Sequence, residues 1–374
     1  MTSGASIPQI GLSTTTTEPG LTGGRLDGIG VYSRALLRYL PQAGCDVKPL
    51  SFGPAASLSV GRPMPSSFPL ATLRDLATPL RQQMDVDLYH ATDYRIVRMD
   101  RPIVATLHDA LPIVHPEWCN PRLRGLKNWL QAKAARKADR VIAHTHYTIP
   151  ELVQSFGVDE RRISVVPCGV DEEWLDAPAP EAVQATLAEY GLRPGYYFFV
   201  GTIQPRKNVD RLLEAYLALP ASVRAQRQLL IVGAPGARSN ETLARIKAAR
   251  QNGENVLWLD RLTSDEQLRH LYAGAGVFVF PSLYEGFGIP VVEAFASGVP
   301  VIASNTTSLP EVSQGAALEI DPLSTQALGA AMLEMARDEA LRKRCIAAGT
   351  VRAVELTWRE TARKTAAVYK NLLK

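Results

Sequence analysis

Cysteine is scarce in this chain of 374 residues, and the four that occur, Cys45, Cys119, Cys168 and Cys345, are scattered without CxxC spacing. That argues against a disulfide framework or a cysteine-rich zinc site and for a reducing compartment. Long apolar runs are missing too: none approaches the ~20 residues needed to cross a bilayer as a helix. The opening MTSGASIPQIGLSTTTTEPG has no basic start and no long apolar core, so it does not read as a secretory signal. The cytoplasm is the expected location. No DxD at a strand end and no His/Asp cluster occurs, so neither a metal nor another cofactor is expected. Outside one basic segment there is no cationic stripe interleaved with aromatics, which argues against nucleic acid as a partner.

What is present is regular alternation. β-rich runs at 7–13, 87–90, 103–107, 141–143 and 163–166 alternate with helical patterns such as 31–40 and 148–156. A second alternation starts at 196–200 and continues through 229–232, 256–259 and 277–280. Strands alternating with helices imply α/β architecture with doubly wound parallel sheets, and the length fits two domains. PCGVDEEWLDAPAP (167–180) is the best linker, dividing a first domain over 1–170 from a second over 171–355. The Thr- and Gly-rich stretch 14–25 reads as a mobile loop, and 53–69 as a Pro/Ser/Gly-rich connection.

The rest of the chain is organised around 276–304, GVFVFPSLYEGFGIPVVEAFASGVPVIAS. It reads as a strand, a loop with Glu285, Gly286 and Gly288, a short helix 291–297 led by Pro290 and stopped by Gly298, and another strand. Such a loop aims backbone N–H groups and the positive end of a helix at one point, a corner that suits a phosphate. Glu285 and Glu293 would repel phosphate there and are better suited to accept hydrogen bonds from neutral hydroxyls. Phosphate and hydroxyls together describe a sugar nucleotide. A second loop, GTIQPRKN (201–208), joins a strand to the helix 209–219 and carries Arg206 and Lys207, a cationic pair that can hold a diphosphate. DGIG (27–30) opens the helix 31–40, and Gly28 with Gly30 makes another possible anion cradle. The full GxGxxG fingerprint is missing, since Ser33 stands at its last glycine. His108 and Asp109 close the strand 103–107 at its carboxyl end, where open α/β sheets place ligands.

Glu285 and Glu293, with seven residues between them inside EGFGIPVVEAFASGVPVIAS, resemble the EX7E motif of retaining glycosyltransferases of the GT-B fold. The block is similar to glycosyltransferase family 4 in particular, and the resemblance covers nearly the entire chain. It implies two Rossmann-like domains facing a central cleft, with the last helix, 356–374, crossing back to the first. It implies that Gly201, Arg206 and Lys207 hold the donor phosphates. Lys207 matches the family's lysine, whereas many relatives place their arginine directly after the glycine, where Thr202 stands here. Glu285 would bond hydroxyls of the transferred sugar, and the N–H groups of Phe287 and Gly288, beside Gly286, would support sugar or phosphate. Glu293 would bind the ribose hydroxyls, and Gly28 and Gly30 would approach the donor phosphates from the first domain. His108 would act at the transferred sugar, with Asp109 on the acceptor side. Retention of configuration follows either from double displacement, with Glu285 as nucleophile, or from front-face attack, which the family favours.

The resemblance thus implies metal-independent hexosyl transfer, with GDP-mannose as the expected nucleotide-sugar donor. A lipid-linked saccharide or polysaccharide precursor is the expected acceptor, on the inner face of the cytoplasmic membrane. UDP-, ADP- or dTDP-sugar donors, a nucleotide-sugar epimerase and a non-catalytic scaffold of the same fold remain as alternatives. Charge adds one more observation. The whole chain is only +4, but 121–140 carries Arg122, Arg124, Lys127, Lys133, Arg136, Lys137 and Arg140 against Asp139 alone. With Leu123, Leu126, Trp129 and Leu130 between them, this reads either as a basic amphipathic helix resting on an anionic membrane or as a solvated helix packed on its own domain.

Overall fold

Strands that are apolar along their whole length need cover on both faces, and parallel sheets flanked by helices provide it. The computed structural model describes residues 7–78, 81–119, 124–262 and 264–374, and within it the chain divides into two compact units. Unit 1 comprises Met1–Val114, Pro121–Gly169 and Thr357–Lys374; unit 2 comprises His115–Asn120 and Val170–Leu356. The segment 115–119, which expectation gives to the first domain, therefore groups with unit 2. Of the basic segment, Pro121, Arg122 and Leu123 lie outside the described residues.

Unit 1 holds strands β1 (Gln9–Ser13), β2 (Asp46–Ser51), β3 (Arg62–Pro63), β4 (Leu88–Ala91), β5 (Ile103–Thr106), β6 (Arg140–Ala143) and β7 (Ile163–Val165). They form one sheet in the order β3-β2-β1-β4-β5-β6-β7, every pair parallel. The order reverses between β1 and β4, and Ile10, Leu12, Leu88, Val104 and Ile142 are fully buried along its middle. The helix Trp358–Leu373 is part of this unit. Thr357 caps it, accepting from the Glu360 amide, in the Thr-x-x-Glu pattern of a capping box. Its buried face carries Trp358, Ala362, Ala366 and Tyr369, and the Tyr369 hydroxyl meets Nδ1 of His90 at 2.6 Å.

The segment 14–25 is ordered, against expectation. It forms a 3-10 turn at Thr15–Thr17 and a short helix at Pro19–Thr22. The cause is Glu18, whose buried carboxylate accepts from the amides of Ser59, Val60 and Gly61 at 2.7, 3.0 and 2.7 Å, and from the Ser51 hydroxyl at 2.7 Å. The connection 53–69 is likewise not wholly irregular: β3 lies in it, and the helix Phe68–Ala77 starts within it.

Unit 2 holds β8 (Tyr196–Val200), β9 (Leu229–Val232), β10 (Val256–Leu259), β11 (Ala275–Phe280), β12 (Val301–Ser304) and β13 (Leu318–Ile320). They form a parallel sheet in the order β10-β9-β8-β11-β12-β13, reversing between β8 and β11. A crevice beyond the carboxyl ends of strands at such a reversal is where doubly wound sheets bind ligands. The loops leaving β8 and β11 are GTIQPRKN and PSLYEGFG.

Candidate functional site

In unit 2 the topology sets the two loops side by side. After β8 comes a 3-10 turn, Pro205–Lys207, followed by Asn208 in left-handed conformation (φ 58°) and the helix Val209–Leu217. Asn tolerates that conformation, and its side-chain amide pins the turn by donating to the carbonyls of Pro281 (2.9 Å) and Pro322 (2.7 Å). The Leu283 amide donates to the Arg206 carbonyl at 2.7 Å, joining the loops through their backbones.

Three charges meet there. Arg206 Nη1 lies 2.9 Å from Glu285 Oε2 and donates to the Tyr284 carbonyl at 3.0 Å; Lys207 Nζ lies 2.6 Å from Glu285 Oε1. Lys207 and Glu285 are buried. Burial pushes the Glu285 carboxyl up, but Arg206 and Lys207 outweigh it and hold the group at about 2. Burial brings Lys207 down to about 8, against the pull of Glu285. Its ammonium also sits 4.6 Å above the Phe280 ring. At neutral pH the cluster carries two positive charges and one negative, a surplus that attracts phosphate.

The glutamate loop is fastened from behind. The buried Ser308 hydroxyl is 2.8 Å from the Glu285 carbonyl and 3.0 Å from the Phe287 carbonyl, and the Glu285 amide donates to Thr307 Oγ1 at 3.3 Å. Gly288 has φ 108°, and a Cβ there would come 2.7 Å from Leu309 Cδ2. The helix Ile289–Ala296 follows at once, two residues earlier than expected, with Pro290 in its first turn and Gly286 and Phe287 just before its N-terminus. Glu293 differs from Glu285 in chemistry: among the described residues no cation pairs with it, and it accepts from the Tyr272 hydroxyl at 3.0 Å. Burial raises its carboxyl to about 7. Gly201 (φ 153°) opens the cationic loop next to the Lys207 side chain.

The remaining expected residues gather in unit 1. The helix that expectation starts at 31 runs over Gly28–Tyr39, so both glycines are in its first turn. Asp27 caps it, its Oδ1 accepting from the Gly30 amide at 2.8 Å. A Cβ on Gly30 would meet the Thr16 carbonyl at 2.8 Å, whereas Gly28 faces open space. Gly30 thus allows a close backbone approach and gives its N–H to Asp27.

His108 follows β5. Its Nε2 is 2.8 Å from the Thr92 carbonyl, and its Nδ1 is 2.9 Å from Nε2 of His144, whose Nδ1 is 3.0 Å from the Val166 carbonyl. Carbonyls only accept, so His108 Nε2 and His144 Nδ1 must carry hydrogens. Two neutral rings then leave no proton between the facing nitrogens, while one added proton would bridge them. Burial depresses both rings, His144 to about 3. Tyr32 packs edge-on against both imidazoles. Asp109, next in the chain, is held locally: its Oδ1 accepts from the Leu111 amide at 3.0 Å, and its carbonyl accepts from Tyr94.

Sequence reasoning names Arg206, Lys207, Glu285 and Glu293 but not their supports, Asn208, Tyr272 and Ser308. His144 reads as structural from the sequence, and nothing local pairs it with His108. His115, also read as structural, lies in unit 2, stacked on Trp118 at 4.2 Å and edge-on to Tyr284 at 5.2 Å. Among the described residues no group of three or more His, Cys, Asp or Glu side chains is placed to hold a metal ion.

Comparison with known proteins matches residues 26–174 to the family described as Glycosyltransferase Family 4 and residues 189–352 to Glycosyl transferases group 1. The chain is 31% identical over 303 residues to O-antigen chain mannosyltransferase B of Escherichia coli, covering 80% of this chain and 78% of that protein. It is 28% identical to the MMP alpha-(1->4)-mannosyltransferase of Mycolicibacterium hassiacum, over 84% of this chain and 77% of that one. Among solved structures, sucrose-phosphate synthase from Thermosynechococcus elongatus superposes with a TM-score of 0.74 at 21% identity, covering 98% of this chain and 99% of the other.

Proposed function

The chain belongs to the glycosyltransferases, with a family 4 segment followed by a group 1 segment on a GT-B fold, and from that premise we propose that it moves mannose from GDP-mannose with retention of configuration and without a metal. The acceptor in this reading is a lipid-linked saccharide or polysaccharide precursor at the inner face of the cytoplasmic membrane. The observation that carries the proposal is the Arg206–Glu285–Lys207 cluster, with Lys207 and Glu285 buried, at the strand reversal of unit 2. Mannose is supported by the names of the two similar transferases.

In the reaction the bond from the anomeric carbon to the β-phosphate oxygen breaks, and the nucleoside diphosphate gains negative charge. Arg206 and Lys207 stabilise that charge, as preorganised donors do at developing oxyanions, and take the place a divalent ion would fill. Glu285, ionised and clamped by two cations, is a poor nucleophile, which favours front-face attack. The acceptor hydroxyl oxygen bonds to the anomeric carbon on the face being vacated, and its proton passes to the departing phosphate oxygen. Glu285 orients the hexose hydroxyls, Glu293 the ribose, and His108 the transferred sugar.

Thermal-shift binding with GDP, UDP, ADP and dTDP and their sugars, with and without EDTA, tests the reading, because a ligand of the native state raises the melting point. Selective stabilisation by GDP and GDP-mannose, indifferent to EDTA and lost in Lys207→Ala, is the expected result. A shift with another base would discard mannose; a shift abolished by EDTA would discard metal independence.

A further inference from the structure

Tyr272 has a single hydroxyl hydrogen and two acceptors within its reach. Its oxygen lies 3.0 Å from Glu293 Oε2 and 3.1 Å from the Pro290 carbonyl, one turn earlier on the helix Ile289–Ala296. With Glu293 protonated, the carboxyl donates to the tyrosine oxygen and the tyrosine hydrogen goes to Pro290, so both contacts are made. With Glu293 ionised, the charged oxygen takes that hydrogen, because charge-assisted bonds are the stronger ones, and Pro290 gives it up. Only the hydrogen is at liberty to move. The Tyr272 ring is fully buried, its centroid 5.4 Å from that of Trp174, 4.8 Å from Phe198 and 5.2 Å from Phe278.

The neighbouring elements add little positive charge. The helix Asp265–Gly274 supplies Tyr272 and also Asp265, whose charge opposes ionisation of Glu293 as burial does. The turn Glu172–Leu175 packs on the Glu293 helix and carries Glu172 and Glu173, both exposed, with Trp174 turned to Tyr272. The helix Glu339–Glu355, packed alongside, brings buried Cys345 and also Arg352, whose guanidinium donates to the carbonyls of Val312 and Glu311. The short helix Leu309–Ser313 carries Glu311, and β11 and β12 bring no charged residue. Glu293 itself is only partly buried, so hydroxyls from outside can reach its carboxyl.

We propose, on the reading that Glu293 binds the donor's ribose, that Tyr272 is a positioning residue whose hydroxyl hydrogen turns from Pro290 to Glu293 as the nucleotide binds, and that the carboxyl proton leaves the protein in the same step. The proton passes to solvent, and the two ribose hydroxyls donate to the carboxylate it leaves behind. Tyr272 is the third donor and holds Oε2 in place, within the roughly four lone-pair sites of a carboxylate. In the free protein Glu293 is half-protonated at about pH 7. Release should therefore be about 0.9 proton per nucleotide at pH 6 and about 0.1 at pH 8.

Binding calorimetry in two buffers of different ionisation heat counts the protons. Ribose is common to GDP, UDP and ADP, so the count uses whichever of them binds, whatever its base. The diphosphate and Lys207 exchange protons of their own, so wild type is read against Glu293→Gln. The difference should be about 0.9 at pH 6 and about 0.1 at pH 8. Tyr272→Phe keeps the ring in its box and removes a donor that favours the ionised form of Glu293. The acid limb of kcat/KM should move up by about one pH unit, and release at pH 8 should rise to about 0.5 proton. A merely structural role would lower the melting point without moving the limb. Should Tyr272→Phe fail to fold, the wild-type count against Glu293→Gln decides. Equal counts in wild type and Glu293→Gln at pH 6, or an unmoved limb in folded Tyr272→Phe, overturn the proposal and leave the nucleotide reading standing. Failure of all three nucleotides to bind removes both.

Discussion

Lys207 and Glu285 are 78 residues apart in the chain and 2.6 Å apart in space, both buried beside Arg206. Lys207→Ala removes a contact that matters more as the leaving group departs, and kcat should fall by about 10²–10³. It also strips a buried carboxylate of one partner, so stability should drop by about 3 kcal/mol, read by urea unfolding. The double variant Lys207→Met, Glu285→Gln should recover much of that stability and none of the activity. Recovery of activity would remove the cluster from catalysis.

The pH dependence of kcat/KM should be bell-shaped, since it reports the free enzyme's essential groups. Glu293 accepts from both ribose hydroxyls at full strength only when ionised, giving an acid limb at about 7. Lys207 must stay protonated to hold phosphate, giving an alkaline limb at about 8. Glu293→Gln should erase the acid limb. The same group makes a stability prediction. Its folded value is raised from 4.5 to about 7, so the native state holds a proton that the unfolded chain has released. The stability this contributes is complete below 4.5 and lost as pH rises through 7. At pH 8 Glu293→Gln should therefore be more stable than wild type, by about 3 kcal/mol, while binding nucleotide more weakly.

Gly288→Ala should act through the backbone. The residue has φ 108°, and the new methyl would press on Leu309. Strain of this kind costs about 1–3 kcal/mol and should appear as a lower melting point together with a raised KM for the donor. An unchanged KM would mean that the loop does not shape the donor site.

His144→Phe keeps a ring in place while removing the nitrogen that faces His108. If His144 positions His108, kcat should fall by up to about 10²-fold, the scale of a small misplacement at the reacting centre. The nucleotide-induced thermal shift should stay as in wild type. Loss of that shift would indicate a general structural role instead.

Much of this site is legible in the sequence, and the reason is local. Tyr196–Val200, Leu229–Val232 and Val256–Leu259 are strands at the bounds their unbroken apolar runs indicate, because sheets covered on both faces need no alternation. The strand, glycine loop and helix around Glu285 and Glu293 are punctuated by Gly and Pro within thirty residues. What escapes sequence reasoning is whatever pairs distant segments. Glu18 collects amides 41 to 43 residues away, and His144 meets His108 across 36. Neither pairing leaves a period or a turn signal in the sequence. The exposed leucines of Phe68–Ala77 escape for the opposite reason: their spacing is that of any amphipathic helix, and only the solvent on their outer side distinguishes them.

The helix Trp358–Leu373 has a consequence for how the protein is made. Its buried face closes unit 1, with Tyr369 against His90 and Thr361 donating to the Pro167 carbonyl. The ribosome, however, produces the strands of unit 1 first, then all of Val170–Leu356, and only then this helix. At synthesis rates of about 5–20 residues per second, the first half waits some ten seconds or more with the groove around His90 and Tyr32 uncovered, while the second can complete its own sheet. The order of birth and the order of completion thus differ: the strands of unit 1 are made first, yet that unit cannot close until the helix Trp358–Leu373, made after the whole of Val170–Leu356, has docked.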